Sequence, residues 1–415
     1  MAVTVKVEVL SGERSIGGNF VRVEDGDRVL VFDQGIRFDV MARFYAGFIA
    51  PRGLRELREI GAVPKAEWYS GACAIYISHM HLDHLGLLSN IPARVDVYLP
   101  NMEVYGMLEE RWEASPSWLS MVPRKHYVRL SGLRPMEADG NGVMALPVSH
   151  SAFPAYAFLY FGSDETVLYT GDFRVEGFLD HKEFEVVRGG QSMLDYIREN
   201  RDIKVDLLVI EGTNLGSARP PISPMEEQAM LGKILSGHSL VVATAHPLDF
   251  EYAYFLLKAG RPVYLASEHL AKLMETAPHL PTEPKLLTEY VKAPLSFQSA
   301  DLEELGDNAL VLASYYEAVD LIRDLASNNA LPRNSAVLIS EPEPSIEEAQ
   351  AYGVMMNWFA RLGVQAYSMR VSGHYYPHQL KSIMDTIKPK EVCMVHTLAS
   401  RELPLAIAKG FLLQR

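Results

Sequence analysis

Six consecutive residues, His79-Met80-His81-Leu82-Asp83-His84, put three imidazoles and one carboxylate into a single short stretch. They come directly after the apolar run Ala74-Ile75-Tyr76-Ile77 and Ser78, and precede Leu85-Gly86. Zinc takes imidazole nitrogens and carboxylate oxygens, and a loop held by a rigid strand can aim such donors at two adjacent ions. Alternation sends His79 and His81 to one side, while Asp83 and His84 can turn toward a second ion. A solvated histidine-rich loop is the bland alternative, and it leaves the order of donors unexplained. Four residues cannot fill two zinc spheres, so further donors must come from elsewhere. Apolar strands end at three candidates: His150 after Met144 to Val148, Asp172 after Val167 to Thr170, and His396 after Val392 to Val395. Each alone reads as well as a turn residue. Three together, in a chain short of ligands, favour donors.

The elements that must position them change in rhythm along the 415 residues. Up to about residue 211 the pattern is β-rich: Val3 to Val9, Arg28 to Phe32, Ala74 to Ile77, Val95 to Leu99, Met144 to Val148, Ala157 to Phe161 and Val167 to Thr170, with helices near 101–114 and 190–199. From Ser223 a helix (Met225 to Leu235), a strand (Leu240 to Thr244), a helix (Phe250 to Ala259) and strands at 263–265, 309–313 and 336–340 alternate as in a parallel sheet. A strand (Ala366 to Val371), a helix (Pro377 to Ile387) and a strand (Val392 to Val395) close the chain. With 48% hydrophobic and 22% charged residues, a disordered or collagen-like chain is excluded. A formal net charge of −13 argues against a protein that coats nucleic acid generally, but leaves room for a locally basic groove. Arg124-Lys125-His126 with Arg129 and Arg134 is one such stretch, more simply read as a solvated face. Two cysteines cannot form a disulfide framework and suit a reducing compartment; Cys73 and Cys393 read as buried packing residues. The N-terminus reads as a strand without a leader, and no apolar run approaches the roughly 18 residues of a membrane span. The expectation is a cytoplasmic protein with no membrane partner.

Taken together, several strings resemble a known family. Ser78 to Gly86, Tyr169-Thr170-Gly171-Asp172-Phe173-Arg174 and His150 resemble the metallo-β-lactamase superfamily. Ile210-Glu211-Gly212-Thr213-Asn214, Val371-Ser372-Gly373-His374 and Val395-His396-Thr397 resemble its β-CASP branch, and within it ribonuclease J and related archaeal hydrolases. The similarity runs in order from about Asp33 to His396. It implies an α/β fold, a four-layer αββα sandwich with an inserted parallel-sheet domain: residues 1–212 as the first part of the metallo-β-lactamase domain, 213–370 as the β-CASP insertion and 371–415 as the closing part. It further implies that His79, His81 and His150 hold one zinc and that Asp83, His84 and His396 hold the other. Asp172 would bridge them, and Asp33 would support a ligand from behind. The cofactor is two Zn2+ per chain, with Mn2+ or Mg2+ as alternatives. Asp83, Glu211 and His374 carry catalysis in this reading, and Ser372, Gly373 and His374 meet the substrate phosphate.

The chemistry implied is hydrolysis of RNA, endo- or 5′→3′ exonucleolytic, by a hydroxide shared between two metals, in a cleft between the two domains. Two ions sharing a water lower its pKa toward neutrality and neutralise charge on the phosphoryl oxygens. The leaving alkoxide needs a proton, which a histidine oriented by a carboxylate can donate. Single-stranded RNA is the implied substrate and single-stranded DNA the neighbouring one; a homodimer is allowed, not required. The chain departs from ribonuclease J at Ala313 to Glu317, where a Gly-rich string is usual, and at Pro247 to Glu251, where an Arg is expected. Tyr375 and Tyr376 stand where small residues are commoner, as base-stacking or as packing groups. The extra C-terminal domain of the bacterial proteins is expected to be missing, while Ile339-Ser340-Glu341-Pro342 fits the archaeal relatives. Two other readings remain: a small-molecule metallohydrolase such as a lactonase or thioesterase, for which the insertion has no evident use, and an inactive RNA-binding scaffold, which should have lost ligands.

Overall fold

The structure is a computed structural model and describes residues 5–46, 49–92, 94–115, 118–121, 125–215, 222–340 and 349–398. The chain divides into two compact units, one comprising Met1–Val175, Arg188–Pro220 and Gly373–Arg415, the other Glu176–Val187 and Pro221–Ser372.

The first unit opens with a six-stranded sheet of β1 (Lys6–Ser11), β2 (Phe20–Asp25), β3 (Arg28–Phe32), β4 (Ala74–Tyr76), β5 (Asp96–Leu99) and β6 (Arg129–Gly132), lying side by side in chain order. The first three form antiparallel hairpins; from β3 onward neighbours are parallel. A second sheet begins with the meander β7 (Val143–Pro147), β8 (Tyr156–Phe161) and β9 (Thr166–Tyr169), and β10 (Leu207–Glu211) joins β9 in parallel.

The second unit holds a seven-stranded, wholly parallel sheet: β11 (Leu240–Thr244), β12 (Val263–Leu265), β13 (Lys285–Leu287), β14 (Ser299–Ala300), β15 (Ala309–Ala313), β16 (Ser335–Ile339) and β17 (Gln365–Ser368), in the order β14-β13-β12-β15-β11-β16-β17. Leu240-Val241-Val242-Ala243-Thr244 is buried at every position, as a parallel strand covered on both faces must be. Val242, Val311 and Val337 share a core with Leu321 and Leu325 of helix Tyr315–Ser327 and Phe359 of helix Ala349–Leu362. Helix Pro224–Gly237 starts on a capping box, Ser223 with Glu226, and has Pro224 in its first turn. The chain then returns to the first unit, where β18 (Glu391–Val395) pairs in parallel with β10 and completes the order β18-β10-β9-β8-β7.

Alternation explains how the two sheets of the first unit face each other. Leu30 and Phe32 of β3 and Tyr76 of β4 pack with Phe158 of β8 and Tyr169 of β9 in one core, with the Phe32 and Tyr169 rings stacked at 5.7 Å. Each such side chain contributes about 1.5–3 kcal/mol by leaving water. Val31, Ile75 and Val97 point the other way and are also fully buried, so the centre of the first sheet, β3 to β5, is covered on both faces. On the outer face of the second sheet, Leu159, Leu168 and Ile210 pack with Met193 and Ile197 of helix Met193–Glu199 and with Leu380 and Ile383 of helix Leu380–Ile387. The α/β class and the layered sandwich expected from the sequence are the observed fold.

Differences are local. The first strand starts at Lys6; residues 1–4, Arg124 and Glu341-Pro342 lie outside the described residues. Cys73 is exposed rather than buried, as the residue directly before β4 with its amide bonded to the Val29 carbonyl at 2.9 Å, while Cys393 is half-buried. The helix expected over Pro377 to Ile387 opens as a 3-10 turn, Pro377–Gln379, and the strand expected over Ala366 to Val371 ends at Ser368. Tyr375 and Tyr376 are buried, which makes them packing residues. Among the described residues, no helix is long and apolar enough to cross a membrane.

Candidate metal centre

The donors converge because parallel strands deliver their carboxyl ends to one edge. β9, β10 and β18 are parallel neighbours, and Glu211 pairs in register with Val395. Asp172, Glu211 and His396 therefore leave the sheet side by side. In the facing sheet β3 and β4 are parallel neighbours, so Asp33 emerges next to Ser78 and His79; the Asp33 amide still donates to the Tyr76 carbonyl at 2.9 Å. Beyond His81 the chain makes a single helical turn, Leu82–Leu85, which swings Asp83 and His84 around. The turn stops at Gly86, at φ +60°, where a Cβ would lie 1.9 Å from the Gln34 carbonyl oxygen.

Every residue expected to be a metal donor arrives at this edge. His79, His81 and His150 form one group, Asp83, His84 and His396 a second, and His79, His84 and Asp172 a third, each with donor atoms within 4.8 Å of one another. Asp172 Oδ2 lies 3.1 Å from His84 Nε2, 3.4 Å from His396 Nε2 and 4.0 Å from His79 Nε2. His396 Nε2 is 3.2 Å from Asp83 Oδ2, and His150 Nε2 is 3.3 Å from His81 Nδ1. Asp172, Glu211, His374 and His396 form a fourth group, of four residues within the same distance, so His374 is close enough to act as a donor itself.

Behind the donors, hydrogen bonds fix the rings. Asp33 is fully buried and accepts from the Ser78 amide and hydroxyl at 2.7 Å each and from the Tyr169 hydroxyl at 2.6 Å; His84 Nδ1 lies 2.7 Å from the same carboxylate. With Nδ1 turned to Asp33, His84 presents Nε2 to the centre. His150 Nδ1 is 2.7 Å from the Gly373 carbonyl oxygen, and a side chain on Gly373 would run into Ser151 at 2.5 Å and the His150 ring at 2.9 Å. His374 Nδ1 meets Glu211 Oε1 at 3.1 Å, and the Tyr375 hydroxyl donates to the Glu211 carbonyl at 2.7 Å. Ser372 is buried and is the last residue of the second unit.

Burial pushes the His79 and His150 rings well below the ordinary imidazole range, and His81 down to about 4, so these three are neutral. Burial also opposes charge on His84, but the carboxylates of Asp172, Asp33 and Asp83 outweigh it and hold the ring well above its usual value. His396 is raised against its burial by Asp172 and by the hydrogen bond to Asp83. Asp83 is only partly exposed, and desolvation opposes its charge, yet His84 and His396 bring it down to about 2.

A divalent metal fits this donor set. His79 Nε2 and Asp172 Oδ1 are buried and have no hydrogen-bond partner, and His84 Nε2 also lacks one of good geometry. Buried nitrogens and oxygens are rarely left so unless an ion takes them up. The donors are imidazole and carboxylate, which suits Zn2+ and related ions.

Tyr169, Ser78, Asn19, Thr213 and Asn214 have no role that the sequence alone assigns, although all but Asn19 lie within the strings that carry the family resemblance. Asn19 donates to the Tyr169 hydroxyl at 3.2 Å, extending the Asp33 network, and Asn214 donates to the His374 and Tyr375 carbonyls at 3.3 and 3.0 Å. The usable signal is their spacing from the donors: Tyr169 precedes Asp172 by three residues at the end of a strand.

Two facing sheets with a His/Asp cluster at their carboxyl edge, together with a separate parallel-sheet unit, are the arrangement that the resemblance to the metallo-β-lactamase superfamily implies. Within the curated relatives the chain is similar to ribonuclease J proteins. It is 29% identical over 104 residues to ribonuclease J of Pyrococcus abyssi, a match spanning 25% of this chain and 22% of that protein. It is 23% identical to ribonuclease J 2 of Streptococcus pyogenes over 93% of this chain and 68% of that protein, and 20% identical to ribonuclease J of Helicobacter pylori over 98% and 58%. The chain thus matches between about a fifth and two thirds of the length of these relatives. A crystal structure of a protein of unknown function from Enterococcus faecalis shares the fold, with a TM-score of 0.73, 21% identity, and coverage of 96% of this chain and 95% of that one. No family model matches the chain.

Proposed function

We propose that the chain is a metal-dependent phosphodiesterase that hydrolyses RNA, with the second unit, expected at residues 213–370, as its β-CASP-type insertion. The observation that carries the reading is the Glu211–His374 pair, 3.1 Å apart, beside the same Asp172 carboxylate that gathers the metal donors. A small-ester hydrolase needs the donors but has no evident use for that pair. Ribonuclease J relatives supply the substrate class.

In this reading His79, His81 and His150 hold one zinc, Asp83, His84 and His396 the other, and Asp172 both. Ions held there supply a hydroxide at neutral pH and offset charge on the phosphoryl oxygens. Asp33 keeps His84 in the tautomer that presents Nε2, and the Gly373 carbonyl does the same for His150. The Glu211 carboxylate orients His374 through Nδ1, which leaves Nε2 to donate a proton to the departing ribose oxygen. Ser372 and Gly373 contact the phosphate, and Asp83 completes the catalytic set by orienting the nucleophile. The relevant experiment incubates the purified chain with labelled single-stranded RNA and DNA, with and without chelator, alongside chromogenic esters. Chelator-sensitive RNA cleavage without ester turnover is expected. Ester turnover alone would favour the small-molecule reading, DNA cleavage alone would change the substrate, and no turnover of any kind would favour the scaffold.

A further inference from the structure

We infer that Thr213 is a positioning residue that sets the tautomer of His396 and couples the metal donors to the Glu211–His374 pair; the inference rests on reading His396 as a metal ligand. Thr213 lies two residues beyond β10, whose neighbour β18 ends at Val395, one residue before His396. Its Oγ1 lies 2.7 Å from His396 Nδ1 and 3.3 Å from the carbonyl oxygen of the same residue.

A hydroxyl has one hydrogen to give. The carbonyl can only accept; with the Thr213 hydrogen directed there, the Thr213 lone pair is left to accept from Nδ1–H. A neutral His396 is thereby held with Nε2 free of a proton. That Nε2 faces Asp83 Oδ2 at 3.2 Å and Asp172 Oδ2 at 3.4 Å, where a donor is needed. The clamp also grips a residue in an uncommon conformation: His396 has φ +53°, and its amide donates to the Gly12 carbonyl at 2.7 Å. Ring and backbone of His396 are thus fixed from two sides.

The same residue reaches the other half of the site. The Thr213 amide donates to Glu211 Oε2 at 2.9 Å, leaving Oε1 for His374. Asn214, by contrast, holds His374 through its backbone carbonyl rather than its ring. One turn after β10 therefore sets the outward group of one histidine through its main chain and of another through its hydroxyl.

The experiment titrates Zn2+ into the metal-free full chain against a competing chelator, and records the visible spectrum of the Co2+-loaded protein. Thr213→Val keeps the shape of the side chain and removes the hydroxyl; Thr213→Ser keeps the hydroxyl. Thr213→Val is expected to weaken one of two sites by ~10–100-fold, the usual cost of losing a partner behind a metal ligand, with a changed Co2+ spectrum. Thr213→Ser should stay close to the parent, and Asn214→Ala should leave zinc affinity unchanged. Parent-like affinity in Thr213→Val, while His396→Ala loses a site, would overturn the role of Thr213 alone. Equal losses in Thr213→Val and Thr213→Ser would overturn it too, because they would point to packing of the methyl group. Two intact sites in His396→Ala would refute the ligand reading itself, and this inference with it.

Discussion

The two halves of the donor cluster share an edge of the sandwich and yet are built on opposite electrostatic terms. His79, His81 and His150 are buried among themselves, and burial drives their rings below the ordinary imidazole range. His84 and His396 are equally buried, with Asp83 partly exposed beside them, but carboxylates line these rings: Asp172, Asp33 and Asp83 lift His84, and Asp172 and Asp83 lift His396. The first half is three neutral nitrogens waiting for a cation. The second pairs rings with carboxylates that raise their affinity for protons. Burial alone therefore does not decide the charge state of a histidine; the nearest carboxylate does.

Asp172 lies against donors of both halves, and its loss is expected to have the largest effect. Asp172→Asn is expected to empty both sites and to lower phosphodiester turnover by on the order of 10³-fold, measured as metal per chain together with rate. One half remaining full would separate the two and show that Asp172 belongs to a single site.

Next in size is the contrast between His374 and His396. His374→Ala should keep both metals and lose ~10²–10⁴ in rate, the usual cost of removing a general acid. His396→Ala should lose metal from the second half first. Equal metal loss in the two variants would turn His374 into a ligand, an assignment its membership of the Asp172–Glu211–His396 group allows.

The pH response sharpens the contrast further. His84 and His396 hold protons above the ordinary imidazole value of 6.5, so metal must displace those protons, and loading of the second half should fall as pH drops through that raised range. His81 titrates at about 4, so the first half should keep its metal to lower pH. In the metal-free chain the sign for His81 is the same: the unfolded ring takes up its proton near 6.5 and the folded one at about 4, so its contribution to stability is present above 6.5 and is lost as pH falls toward 4. Metal retained per chain across this range, with thermal unfolding of the metal-free chain, checks both. Simultaneous release of two metals would contradict the difference.

The smallest effect is expected at Tyr375, whose buried hydroxyl holds the Glu211 carbonyl at 2.7 Å. Tyr375→Phe leaves that carbonyl short of a partner and should cost about 1 kcal/mol, read as a lower unfolding midpoint at unchanged metal content. Metal loss in this variant would mean that the backbone of β10 positions donors more directly than the geometry indicates.

How legible the two halves are in the sequence also differs. His79 to His84 declares itself because four donors share one loop. His150, Asp172 and His396 emerge only when the polar residue at the end of each apolar strand is considered, and parallel pairing of β9, β10 and β18 explains why strand ends are informative. Thr213 escapes that criterion, since a hydroxyl after a strand resembles any turn residue until its partner, 183 residues away, is known. The short strands Arg129–Gly132, Lys285–Leu287 and Ser299–Ala300 are illegible because two to four residues cannot display a period. Cys73 reads as packing because it adjoins an apolar strand; one position along the chain separates exposure from burial there.

The most direct test of two unlike halves is a calorimetric titration of the metal-free full chain with Zn2+ at neutral pH, repeated in two buffers of different ionisation enthalpy. Two binding events per chain are expected, the first with little proton release and the second displacing protons from His84 and His396. A single event, or two events releasing equal numbers of protons, would contradict this expectation.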